Sequence, residues 1–137
     1  MDIVTVKGEK DSGKTSFITY VLVQLLAKGA KVIDLEMCGC RNDDFKAKIH
    51  FNDKTVILCS IGDAVKYIRE GLEFAREGNG KIYVNALSET KVNEDDYKKL
   101  LQESEQIIKT ISRKKESSDK IRQANMRNWK EIVPLFQ

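Results

Sequence analysis

Gly8, Gly13, Lys14 and Thr15 stand at the spacing G-x-x-x-x-G-K-S/T, and those residue types at those distances suit the holding of a chain of phosphates. The glycines let Gly8-Glu9-Lys10-Asp11-Ser12-Gly13 turn tightly and aim successive N–H groups at anionic oxygens. A helix beginning near Lys14 adds the unpaired donors and positive dipole end of its first turn, with Thr15 and Ser16 inside it. Lys14 then brings a point charge to the β- and γ-phosphates, and the Thr15 hydroxyl becomes a ligand for Mg²⁺. The expected chemistry is the binding of a nucleoside triphosphate, ATP or GTP, with Mg²⁺, Lys14 serving as the catalytic cation if the phosphate is transferred.

Such a loop works only between a strand and a helix. Ile3-Val4-Thr5-Val6 is short and β-branched, and an apolar run from Thr15 to Leu26 follows the loop and closes at Gly29, a C-terminal helix cap. Lys31-Val32-Ile33-Asp34-Leu35-Glu36 reads as the next strand, which makes a right-handed βαβ unit of residues 2–36. On these residues the chain resembles the P-loop NTPase superfamily, residues 8–15 forming its Walker A motif. The resemblance implies a nucleotide site and leaves the reaction open, because the superfamily contains kinases, GTPases, ATPases and non-catalytic binders.

An acid at the end of a nearby strand must hold Mg²⁺ through water. Asp34 is the first candidate: Ala27 to Glu36 is similar to the "helix, Gly, Lys-Val, apolar, Asp-x-acid" passage of the partitioning and septum-site ATPases. Adenylylsulfate-type kinases carry a similar Asp with an Arg a few residues on, a place Arg41 occupies. Glu9 stands where the ATPase group has its second lysine, with Lys10 one position late. Asp63 is the second candidate. Cys59-Ser60-Ile61-Gly62 lies where small GTPases have their Asp-x-x-Gly switch, with Cys59 in place of the acid. Asp63 equally suits the N-cap of a helix running to about Glu77.

Around this unit the chain reads as one domain, 1–137, with C-terminal helices. Phe45–Phe51 alternates apolar and polar with period two, Asn52-Asp53 turns, and Thr55–Cys59 is almost wholly apolar: an antiparallel hairpin whose first strand lies at the sheet edge. Lys81–Leu87 is a further core strand. Glu94 to about Lys115 reads as a charged helix with Tyr97, Leu100, Leu101, Ile107, Ile108 and Ile111 on one face, and a last helix follows a cap at Ser117-Ser118-Asp119. The expected fold is a three-layer α/β domain of P-loop NTPase type, its sheet mostly parallel with one antiparallel edge strand.

Thr90-Lys91-Val92-Asn93 is similar to the base-reading Thr-Lys-x-Asp of GTPases with Asn in place of Asp; a carboxamide accepts only one of guanine's two donors, which favours ATP. Cys38, Cys40, His50 and Cys59 could supply zinc ligands, although C-x-C is tight for such a site. Residues 109–130 gather Arg113, Lys114, Lys115, Lys120, Arg122 and Arg127 near Trp129, which reads as a solvated helix face or a nucleic-acid contact. A net charge of +3 says little else about partners. Three cysteines without a charged-then-apolar leader suggest the cytoplasm, and no apolar run approaches the ~20 residues of a membrane span. The function expected is that of a small ATPase-type regulatory or accessory protein controlling a protein partner; the alternatives are a small-molecule kinase, in which Asp34 is the catalytic acceptor of the substrate hydroxyl proton and Arg41 clamps the substrate, or a non-catalytic adaptor.

Overall fold

A computed structural model describes residues 1–38 and 43–137. Among these the chain forms a six-stranded mixed sheet with helices on both faces. In chain order the elements are β1 (Asp2–Gly8), α1 (Lys14–Ala27), β2 (Lys31–Met37), β3 (Phe45–Phe51), β4 (Lys54–Cys59), α2 (Val65–Glu77), β5 (Ile82–Ser88), α3 (Glu94–Lys99), β6 (Gln106–Arg113) and α4 (Ser118–Ile132), closed by a 3-10 turn at Val133–Phe136. None of the helices is long and apolar enough to cross a membrane.

The sheet order is β2-β3-β4-β5-β1-β6. β4, β5, β1 and β6 pair in parallel, whereas β3 runs antiparallel to both β2 and β4. Strand composition follows position. All seven residues of β5 are buried, as a central strand covered on both faces requires, and all seven of the edge strand β2 are exposed. One face of the sheet packs on α1 and α4 through Val4, Val6, Phe17, Val21, Trp129 and Ile132. The other packs on α2 and α3 through Ile3, Ile57, Ile68, Leu72, Tyr83 and Tyr97. Two cores on a shared sheet make three layers.

Local chemistry explains the boundaries. Asn52 and Asp53 adopt φ of 50° and 59°, the two left-handed positions of a two-residue hairpin turn that matches strand twist. Gly29 at φ 97° ends α1, its N–H bonding to Leu26 C=O and that of Ala30 to Leu25 C=O. Gly62 has a steric reason: a Cβ there would overlap the Ala86 carbonyl, and Ser88 N–H donates to Gly62 C=O at 2.9 Å. Gly62→Ala is therefore expected to cost about 3 kcal/mol, the upper range for forced overpacking, measured by urea titration.

Three expectations are corrected. β2 does not lie beside β1; three strands intervene, and the crossover through α1 spans them. The antiparallel strand β3 is not the edge, because β2 pairs outside it. The single helix expected from Glu94 to Lys115 is a short helix, α3, followed by strand β6. Four of the eight residues of Gln106–Arg113 are β-branched, and pairing along β1 gives that composition its strand. The basic run of residues 109–130 is thus divided among β6, a loop and α4, with Arg113 buried and Trp129 buried in a stack on Phe136 at 5.8 Å.

Candidate functional site

Parallel strands deliver their carboxyl ends to one edge of the sheet, and β1 ends there at Gly8. The chain then turns through Asp11 at φ 63° and Gly13 at φ 83°, both left-handed. The first helical bond of α1 is Phe17 N–H to Gly13 C=O at 2.9 Å, so the amides of Lys14, Thr15 and Ser16 precede the helical ladder. A Cβ on Gly8 would strike Ser12 and the Arg113 carbonyl, and one on Gly13 would come within 2.8 Å of Ile121 and 2.9 Å of Arg113. Both glycines are required by close approach, and Gly13 by φ as well.

This loop forms the floor of a cleft of about 480 Å³. Lys10, Asp11, Ser12, Gly13, Lys14, Thr15 and Ser16 line it, joined by Asp43 and Asp44 before β3, Ser60, Gly62 and Asp63 after β4, Ser88 at the end of β5 and Lys91 after it, and Ser118, Ile121 and Arg122 from α4. Lys14 lies back along the loop, donating to Gly8 C=O at 3.0 Å and Glu9 C=O at 2.7 Å. Partial burial lowers its pKa, opposed by the charges of Glu89, Asp63, Asp11 and Glu9. Glu9 itself turns outward, its carboxylate accepting from Lys115 N–H at 3.3 Å.

The acid beside Thr15 is Asp44. The Thr15 hydroxyl donates to its Oδ1 at 3.2 Å and the Ser60 hydroxyl at 3.3 Å. Desolvation raises the Asp44 pKa, and these two hydrogen bonds oppose the rise. Asp34 does not join the site: it is exposed on β2, four strand spacings from β1, or about 19 Å at 4.8 Å per step. Asp63 does line the cleft, 4.0 Å from Lys91, and it is not a cap, since Ala64 holds the N-cap position of α2 without a side-chain bond. Arg41 and Cys40 lie outside the described residues.

The oxygens of Thr15, Asp44, Ser60 and Asp63 are hard donors lining the cleft, and the first three are linked by hydrogen bonds through Asp44, a set that fits Mg²⁺ together with a phosphate ligand. Among the described residues no three His, Cys, Asp or Glu side chains are grouped to hold a metal by themselves. His50 is exposed on β3 and Cys59 is buried in β4, its thiol pKa pushed up to about 11 by desolvation, so these two do not share a zinc site.

Asn93 caps α3, its Oδ1 accepting from Asp95 N–H at 2.8 Å and Asp96 N–H at 3.3 Å. That oxygen is occupied, and the residue's place is explained by the helix. Asn93→Ala is expected to cost about 1 kcal/mol in thermal unfolding and to leave any preference between ATP and GTP unchanged.

Asp44 belongs to no motif in the sequence, yet the hairpin contains the signal. A strand antiparallel to β4 must begin where β4 ends, so residues just before β3 arrive at the carboxyl edge beside the loop. Compared with protein-family models, curated proteins and solved structures, the chain matches none of them.

Proposed function

We propose that this chain binds a nucleoside triphosphate with Mg²⁺ at Gly8–Ser16 and acts as a small ATPase-type regulatory or accessory protein. The observation that carries the reading is the convergence at one cleft of a left-handed glycine turn, the free first-turn amides of α1, Lys14 and the Thr15–Asp44 hydroxyl–carboxylate pair. The amides and Lys14 supply positive potential where phosphates accumulate negative charge, and the oxygen donors would hold the cation that neutralises them.

Residues divide the work by position. Lys14 leaves its loop carbonyls for phosphate oxygens. Thr15, through its hydroxyl oxygen, and Asp44, through its carboxylate, would hold Mg²⁺. Asp63 and Lys91 pair at 4.0 Å in the lining of the cleft, where a carboxylate can orient an attacking water and an ammonium can neutralise developing charge. Bound Mg²⁺ supplies charge neutralisation between the phosphates.

A kinase that uses Asp34 as proton acceptor is not favoured, because a carboxylate about four strand spacings from the loop cannot reach the γ-phosphate. ATP is the expected nucleotide, since the Asn93 oxygen that would read guanine is engaged in the cap. Calorimetric titration with ATP and GTP, with and without Mg²⁺, tests the reading. Binding of Mg·ATP in the micromolar range is expected, followed by slow phosphate release; no heat of binding from either nucleotide at millimolar concentration would overturn it.

A further inference from the structure

Arg113 is the last residue of β6, and its side chain is buried directly behind the glycine loop. One terminal nitrogen donates to Asn125 Oδ1 at 2.8 Å and Asn128 Oδ1 at 3.3 Å, the other to Ile121 C=O at 3.3 Å. The guanidinium carbon sits 5.7 Å from the centre of the Phe17 ring. Every one of these partners is neutral. Among the described residues Arg113 forms no ion pair, its buried Nε has no acceptor, and Glu116, the acid that acts on it, pairs with Lys114 at 3.9 Å. Desolvation lowers its pKa, with Glu116 opposing.

A buried cation with only neutral partners is expensive unless an anion answers it. The location says which anion. One terminal nitrogen lies 2.9 Å from the point where a Cβ on Gly13 would project, and the amides of Lys14, Thr15 and Ser16 follow that residue. Glycine at 13 therefore admits the guanidinium to within one peptide thickness of the loop's anion-facing amides. A side chain at that position would displace it.

Resting on the reading that the loop holds phosphates, we propose that Arg113 is a fixed counter-charge for them, acting through the glycine backbone from behind, as a positioning residue that never touches the ligand. The same guanidinium holds three groups of α4, and Asn125 Nδ2 donates to Ser16 Oγ at 3.0 Å in the first turn of α1. Phosphate binding and the docking of α4 thus share one joint, and their coupling is reciprocal: a docked α4 favours the ligand, and the ligand favours a docked α4.

The test uses the full chain with inorganic phosphate and inorganic pyrophosphate as probes of rising charge, and Mg·ATP as the nucleotide probe. Arg113→Met is expected to melt somewhat lower than the wild type without ligand, because three acceptors of α4 lose their donor, to lose about tenfold in pyrophosphate affinity, and to lose less with phosphate, because a through-space charge interaction scales with ligand charge. Arg113→Lys should recover most of the pyrophosphate affinity. Hydrogen exchange should show α4 amides protected by pyrophosphate in the wild type and unaffected in the Met variant.

A Met variant that binds pyrophosphate as the wild type does would overturn the proposal, whatever its melting temperature. If it both melts lower and binds more weakly, Arg113→Lys decides: restored affinity at unrestored stability supports the counter-charge, and unrestored affinity overturns it. A wild-type chain that binds none of the three probes removes the phosphate reading itself, an outcome distinct from a Met variant that binds normally.

Discussion

Lys14→Ala is expected to weaken Mg·ATP binding by roughly a hundredfold, about 2–3 kcal/mol for a charge-assisted contact to phosphate, with little change in thermal stability. The two effects separate because of where the side chain lies. Its hydrogen bonds in the protein are to Gly8 and Glu9 carbonyls of its own loop, and none reaches either core. Its lowered pKa shows that the cation is already partly desolvated, so an arriving anion gains more from it than from a lysine in bulk water. Calorimetric titration paired with a thermal melt measures both quantities. Equal affinities in the variant and the wild type would remove the loop assignment.

Lys14→Arg is a stricter comparison. The planar guanidinium keeps the charge but cannot fold along the loop as a compact ammonium does, so only part of the affinity is expected to return.

The loop and its two flanking elements were legible because local rules fix them. Glycine spacing, a β-branched run and an apolar helix ending at Gly29 all act within about thirty residues. The hairpin was legible for the same reason, Asn52-Asp53 being a turn with its own backbone preference. What local rules do not contain is strand order. The expectation that β2 lies near the loop followed from a compact βαβ unit, and nothing in Lys31–Glu36 records that β5, β4 and β3 come between.

The error at β6 has the same origin. Ile107, Ile108 and Ile111 fit a helical stripe as well as a strand, and the choice is made by the free edge of β1, a partner about a hundred residues earlier in the chain. Its consequence reached the site. Read as helix, Arg113 belonged to a solvated basic face; read as strand, it points under Gly13.

Position also decides the metal-linked acid. Asp44→Asn is expected to raise the Mg²⁺ concentration needed for half-maximal ATP binding by 10–100-fold, the usual loss when a group that orients a metal's ligands is removed. Asp34→Asn is expected to change nothing in the same titration, because β2 carries it away from the cleft. Asp63→Asn should fall between them, since that residue lines the cleft but neither hydroxyl donates to it.

Stability should move the other way. Desolvation holds the Asp44 pKa above its unfolded value, so near neutral pH the native carboxylate is ionised at a cost that the unfolded chain does not bear. Asparagine removes that cost, and the Asn variant is expected to melt slightly higher than wild type at pH 7. As pH falls through the raised pKa the wild-type carboxyl takes up its proton, and the two proteins should converge. Mg·ATP should reverse the order at neutral pH, because the cation answers the charge that burial penalises, and only wild type retains that charge. Melting curves at pH 7 and pH 4, with and without Mg·ATP, measure all four states. An Asn variant that melts lower than wild type at pH 7 without ligand would show Asp44 to be a structural tie between Thr15 and Ser60, and would return the magnesium role to Asp63.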